Sequence, residues 1–209
     1  MPRSSVGASL TGAMSSSAEP GRIRRAGPSD LGFLIAADLA TGDVEDALLG
    51  RPPWRPNPAE TAEHAAKIAR FLSEPDKAAW VGVDPRTGAA PQAMLLACFR
   101  DLEQERPQEL AANSIFLKLD RRLFPADGRF CEVFQLWVEP LQRRRGWAVA
   151  LKRQLEIETQ RRGVCAIYTH TLERNTVVVE LNLKLGYHEV RRGPIWDEAV
   201  RVSLIKTLA

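Results

Sequence analysis

The segment from Phe130 to Leu155 constrains this chain more than any other, because it reads as a strand, a basic glycine-containing turn and a helix in immediate succession. Phe130 to Val138 is dense in aromatic and β-branched side chains and lies between Asp127-Gly128 and Pro140, which predicts a strand. Beyond the turn, Trp147, Leu151 and Leu155 recur at helical spacing with Lys152, Arg153, Glu156 and Glu158 between them, the pattern of an amphipathic helix beginning near Gly146. A helix start leaves backbone N–H groups without partners and carries the positive end of the peptide dipole, so it stabilises a bound anion. Arg143, Arg144 and Arg145 add charge at the same place, Gly146 allows close backbone approach and Ala148 keeps the first turn slim. These residues predict a pyrophosphate site.

The spacing Arg143-x-x-Gly146-x-Ala148, entered from Val138-x-Pro140, resembles the acyl-CoA signature of the GNAT N-acyltransferases. Downstream, a strand-like run from Val164 to Thr169, then Asn175, then a helical run ending Leu185-Gly186-Tyr187 follows the family's order of strand, asparagine, helix and Leu-Gly-Phe. The resemblance implies acetyl-CoA as co-substrate, without a metal, and transfer of its acetyl group to a primary amine of a small molecule, protein or peptide. It implies a mixed α/β fold: a mostly antiparallel sheet flanked by helices, with the acyl-CoA site at a splay between two central parallel strands. It further implies that backbone amides around Trp137 and Val138 face the pantetheine arm, that Arg143 to Ala148, Trp147 among them, cradle the diphosphate, and that Asn175 bonds the pantetheine amides or caps a helix. A homodimer is compatible with the family.

At 209 residues the chain suits one domain, expected over 21–209. The first twenty residues, rich in serine and glycine and without periodicity, read as a disordered extension. A hydrophobic fraction of 44% and a charged fraction of 26% are ordinary for a soluble protein, and no apolar run approaches the ~20 residues that span a bilayer. Cys98, Cys131 and Cys165 are far apart and lie in apolar runs, which predicts buried free thiols in a reducing, cytoplasmic setting rather than a metal or disulfide site. The net charge of +3 is modest, and the basic residues between Arg143 and Arg162 are interspersed with Glu139, Glu156 and Glu158, which argues against a nucleic-acid binder. A catalytically silent CoA-binding or interaction protein stands as the alternative, since fold alone does not establish activity.

Along the chain, Ile23 to Ala26 reads as a strand and Pro28-Ser29-Asp30 as a helix start ahead of Leu31, Leu34, Ile35 and Leu39. The proline-rich stretch from Arg51 to Pro58, carrying Trp54, reads as a loop. A second helix fits Ala59 to Leu72, with Ala62, Ala65, Ala66, Ile68, Ala69 and Leu72 on its apolar side. Ala79 to Val83 and Gln92 to Phe99 form a hairpin, an inserted helix or lid follows over about 101–127, and two more strands, His188 to Arg192 and Ala199 to Ile205, close the domain.

For chemistry, Glu132 is the candidate general base: it stands six residues before Val138, which by strict alternation puts both on one face, and Phe130 and Phe134 flank it. A structural pairing of Glu132 with a neighbouring arginine fits the sequence equally well. Trp54, Gln135 and His170 are candidate acceptor contacts, and Trp54, Phe116 and Phe124 favour an apolar or aromatic acceptor. Where the family resemblance implies a thiolate-protonating tyrosine, this chain has Asn182, whose amide supplies no titrating proton at neutral pH.

Overall fold

The computed structural model describes residues 21–86, 88, 90–102 and 120–209. The expected extension over 1–20 and most of the expected insertion, Ile115 and Phe116 included, lie outside the described residues. The elements are β1 (Arg22–Arg25), α1 (Leu31–Leu49), α2 (Pro58–Ser73), β2 (Lys77–Val83), β3 (Pro91–Asp101), β4 (Arg129–Val138), α3 (Trp147–Arg161), β5 (Ala166–Leu172), α4 (Thr176–Lys184), β6 (His188–Pro194) and β7 (Val200–Thr207). This is the order that the sequence pattern predicts.

Local chemistry sets several boundaries. The Asn57 side chain accepts from the Glu60 backbone N–H at 3.0 Å while the Glu60 carboxylate accepts from the Asn57 N–H at 2.7 Å, a reciprocal cap that starts α2 at Pro58. Arg24 grips Asp30 through two hydrogen bonds of 2.6 and 2.9 Å, tying β1 to the turn that opens α1. The buried stripe of α2 differs from the expected one: Ala62 and Ala66 are exposed, whereas Ile68 and Phe71 are buried with His64 partly so. Alanine contributes little buried area, so the bulkier side chains decide which face of that helix turns inward.

The strands make one sheet in the order β1-β2-β3-β4-β5-β7-β6, antiparallel except for the central β4–β5 pair. The mixed, mostly antiparallel sheet expected from the sequence is therefore present. One face carries α3 over Trp80, Leu95, Cys131, Val133 and Ile167. The other carries α1 and α2 over Val81, Met94, Leu96 and Trp137.

Two features of β4 position the site. The strand is parallel to β5 only where Cys131 pairs with Ile167 and Glu132 with Tyr168, and the ladder stops there. In addition, the register against β3 steps from Ala97↔Val133 to Leu96↔Gln135, which makes Phe134 the extra residue of a bulge. The bulge reverses the alternation. Cys131 and Val133 face α3, as do Leu136 and Val138, whereas Phe134 and Trp137 pack on the α1–α2 side. Glu132, opposite Cys98 of that second cluster, therefore does not share a face with Val138; the expectation of a common face fails because one inserted residue shifts a period of two.

The start of α3 is fixed by an aromatic lock. The Trp147 side chain is 2% exposed, and a Cβ built on Gly82 of β2 would lie 2.6 Å from its ring. The absence of a side chain at Gly82 is what admits the indole. Gly82→Ala is expected to push Trp147 off the sheet and cost about 1–3 kcal/mol of stability, seen as a lower denaturation midpoint with an unchanged denaturant slope.

Candidate active site

The connection from β4 to α3 carries the residues expected to hold the cofactor. The Glu139 N–H is held by the Gln92 carbonyl at 2.9 Å, Pro140–Gln142 forms a single 3-10 turn, and the chain reaches α3 through two left-handed residues, Arg144 with φ 65° and Gly146 with φ 84°. A left-handed conformation is free for glycine and costs an arginine about 1 kcal/mol, so this turn holds Arg144 in a strained shape beside a helix N-terminus. Arg143, Arg144 and Arg145 are exposed, and the Arg143 Nε donates to the Val138 carbonyl at 3.2 Å. The Trp147 ring is part of the core, so what this residue offers an anion is its backbone N–H; Ala148 follows in the same uncapped turn. Trp137 turns its ring to Phe33 of α1 at 5.9 Å, leaving its backbone and that of Val138 on the parted stretch of β4. Asn175 sits at the N-cap of α4, yet its side chain makes no capping bond.

The opposite face of the parted strands holds a polar cluster. The Gln135 Nε2 donates to Asp38 Oδ1 of α1 at 3.1 Å, His64 Nε2 of α2 lies 3.4 Å from Asp38 Oδ2 without the alignment of a hydrogen bond, and the Trp54 ring meets the His64 ring edge-on at 5.8 Å. The candidates Trp54 and Gln135 thus meet through Asp38 and His64. His170 stands across the gap on β5, against Trp196 at 5.1 Å and Tyr168 at 5.9 Å. Its Nδ1 is shut from solvent with no hydrogen-bond partner, and burial, with the nearby Arg201 cation, pushes its pKa down to about 4. Arg201 is itself buried, bonded to Glu45 and Asp197 and stacked on Trp196 at 4.2 Å, while Arg51 reaches Asp197 at 3.2 Å. These contacts bind the proline-rich loop and the β6–β7 connection to one another.

Glu132 is 6% exposed and ion-paired with Arg100 at 2.7 Å, the arginine pairing that the sequence allowed. Phe124 does not line an acceptor path: it is packed against Phe130 at 4.7 Å and Tyr168 at 6.3 Å, because a ring with that many apolar neighbours gains more by burial than by exposure. Cys98 and Cys131 are buried with thiols pushed up to about 12, whereas Cys165 is exposed, since it precedes β5 instead of lying within it. Asp38, His64, Trp196 and Arg201 were not singled out from the sequence. For Asp38 and His64 a signal existed: each is a polar residue on a stripe otherwise made of Leu34 and Ala37, or of Ile68 and Phe71.

On the α3 face, Lys152 is 1% exposed with no hydrogen-bond partner for its Nζ, which lies 4.5 Å above the Tyr187 ring. Burial pushes its pKa down to about 7. Asn182 is likewise buried, its Nδ2 donating to the Val178 carbonyl at 2.9 Å and its Oδ1 unpartnered. Because the folded-state pKa of Lys152 lies below the ordinary lysine value, the unfolded chain binds more protons between about pH 7 and 10.5, and the fold gains stability as pH rises through that window. Lys152→Met is therefore expected to stabilise the fold at pH 7, by about 1–3 kcal/mol, with the advantage shrinking toward pH 10.5 in denaturant titrations.

Residues 54–187 match the acetyltransferase (GNAT) family, and the chain belongs to it. No curated protein matches the sequence. Among solved structures, the fold is similar to that of Arabidopsis thaliana NAA60 in complex with acetyl-CoA, at 17% identity and a TM-score of 0.59, covering 89% of this chain and 97% of that one. It is also similar to the ribosomal-protein-S18-alanine N-acetyltransferase of Escherichia coli, at 16% identity and a TM-score of 0.56, covering 90% and 94%. A third likeness is to yncA of Salmonella typhimurium with acetyl-CoA, at 16% identity, a TM-score of 0.58 and the same coverage of 90% and 94%. Among the described residues no group of three or more His, Cys, Asp or Glu side chains comes together to hold a metal ion, and no helix is long and apolar enough to cross a membrane.

Proposed function

We propose that the protein transfers the acetyl group of acetyl-CoA to a primary amine. The observation that carries this reading is the parting of β4 from β5 beyond Glu132 and Tyr168, with the uncapped, arginine-flanked start of α3 at its mouth. Parted strands expose backbone N–H and C=O groups that need partners, and the amides of a pantetheine arm supply them. The diphosphate fits the N–H groups of Trp147 and Ala148, with Arg143, Arg144 and Arg145 around it. Asn175, uncapped at the start of α4, is available to the arm from the β5 side. The thioester then lies by the Phe134 bulge, where a backbone N–H freed from the ladder stabilises the oxyanion formed on amine attack.

The acceptor enters from the α1–α2 side. Its nitrogen attacks the carbonyl carbon, the C–S bond breaks, and the nitrogen's proton passes to a base while the thiolate leaves. His170 is a candidate base by position, past the end of the ladder with an unpartnered Nδ1; burial keeps its imidazole neutral with a pKa down at about 4, which leaves it free to accept a proton but makes it a weak base. Glu132, held by Arg100, is the second candidate. Asn182 provides no acid, and a thiol with a pKa near 8.5 leaves without one.

Calorimetric titration with acetyl-CoA is expected to give micromolar binding that Gly146→Glu abolishes, since that substitution puts a carboxylate where the diphosphate sits and a side chain at a left-handed position. Absence of binding by the intact protein would sink the acetyltransferase reading in favour of a silent fold. For the base, His170→Gln is expected to lower kcat by about 10²–10⁴-fold while leaving acetyl-CoA affinity within twofold. In the intact enzyme, the fall in rate from pH 8 to pH 5 should track the pKa of the acceptor used, not that of His170. A loss confined to Glu132→Gln would return the role to Glu132.

A further inference from the structure

Asp38 is a buried carboxylate at this site that, among the described residues, no arginine or lysine reaches. Around it the acidic groups are matched: Asp43 by Arg55, Glu45 by Arg201, Asp197 by Arg51 and Arg201, and Glu132 by Arg100. Asp38 is 8% exposed, and among the described residues no arginine or lysine reaches it. Lys67, on the same side of α2, lies 4.7 Å above the Phe134 ring and makes no ion pair with it. Its two oxygens meet the neutral amide of Gln135 and the poorly aligned Nε2 of His64. A carboxylate withdrawn from water with one neutral hydrogen bond is costly, and a cation supplied from outside removes that cost.

The place of Asp38 says which cation. Gln135, the first residue after the bulge, ties it to the stretch of β4 where the thioester is held in the reading above. α1 lies along β4 so that Phe33 meets Trp137 and Asp38 meets Gln135. Trp54, 46% exposed and backed by His64, stands on the solvent side of this cluster. An amine substrate reaches the enzyme as its ammonium form, and this wall offers that group an anion flanked by an aromatic ring.

Resting on the acetyltransferase reading, we propose that Asp38 captures the ammonium group of the acceptor, and that the acceptor is a primary amine next to an apolar or aromatic group and without a carboxylate on the adjoining carbon. A free amino acid would bring its own carboxylate against Asp38, so the site takes a peptide N-terminus or a simple arylalkylamine and turns away the free acid. Before attack the captured ammonium gives one proton to solvent, and the neutral nitrogen then stands between Asp38 of α1 and His170 of β5, its second proton passing to the base as the amide forms.

The test titrates the full-length protein, loaded with CoA, with phenylalanine amide, phenethylamine, a phenylalanine-initiated tripeptide and free phenylalanine, by calorimetry, and measures kcat and KM for each with acetyl-CoA. The first three are expected to bind, and phenylalanine at least tenfold more weakly than its amide. A clear preference between the tripeptide and phenethylamine separates a peptide acceptor from a small-molecule one. Asp38→Asn should raise the amine Kd and KM at least tenfold and leave acetyl-CoA affinity unchanged; Asp38→Glu, which keeps the charge, should raise them less, and it carries the comparison if the asparagine variant does not fold. Unchanged amine binding in Asp38→Asn, or in both variants, or equal affinity for phenylalanine and its amide, overturns the assignment. Because amine binding is read without turnover, failure of the acetyltransferase reading shows separately, as absent acetyl-CoA binding.

Discussion

β4 and β5 are joined at two register positions, Cys131 with Ile167 and Glu132 with Tyr168, and the rest of the structure is arranged around the shortness of that ladder. β1 to β4 form one antiparallel block and β5 to β7 another, each satisfied by its own hydrogen bonds, so the sheet tolerates a break between them. A parallel connection requires a crossover, and α3 provides it, which puts a helix N-terminus at the mouth of the break as a matter of topology. The Trp147 ring on Gly82 then fixes where that N-terminus points. The anion and amide contacts proposed for the cofactor would thus arise at one place from one cause.

The bulge at Phe134 has a comparable reach. Without it, alternation along β4 would carry Glu132 and Val138 on one face; with it, Gln135 and Trp137 turn toward α1 while Leu136 and Val138 stay with α3. One extra residue turns the two halves of β4 to different faces on either side of Phe134. It also brings Gln135 to Asp38, a contact between residues ninety-seven positions apart.

Charge on the acceptor face is mostly spent on order. Exposed ion pairs contribute little to stability, but Arg201 is buried, and its bonds to Glu45 and Asp197, with the stacking on Trp196, hold α1 and the β6–β7 connection against a single strand. Against this background of matched pairs, Asp38, without an arginine or lysine, and the unpartnered Nδ1 of His170 are the groups on which the proposed acceptor site rests. Lys152 is the corresponding exception on the other face, where desolvation is relieved by loss of its proton and by the Tyr187 ring in place of an ion pair.

The sequence by itself determined the elements and the cofactor turn. Strand, turn and helix from Phe130 to Leu155 are encoded locally, by side-chain periodicity, by Pro140 and by a glycine at a left-handed position, and a local signal survives without knowledge of the fold. Tertiary structure decided the proposed acceptor face. Asp38, His64, Trp54 and Gln135 come from α1, α2, a loop and β4, and no spacing in the chain relates them, because their meeting depends on how two helices cross a twisted sheet. The fate of Glu132 was decided there as well: its arginine is thirty-two positions away on β3, and a bulge, invisible to any count of alternating residues, set the register that brings them together.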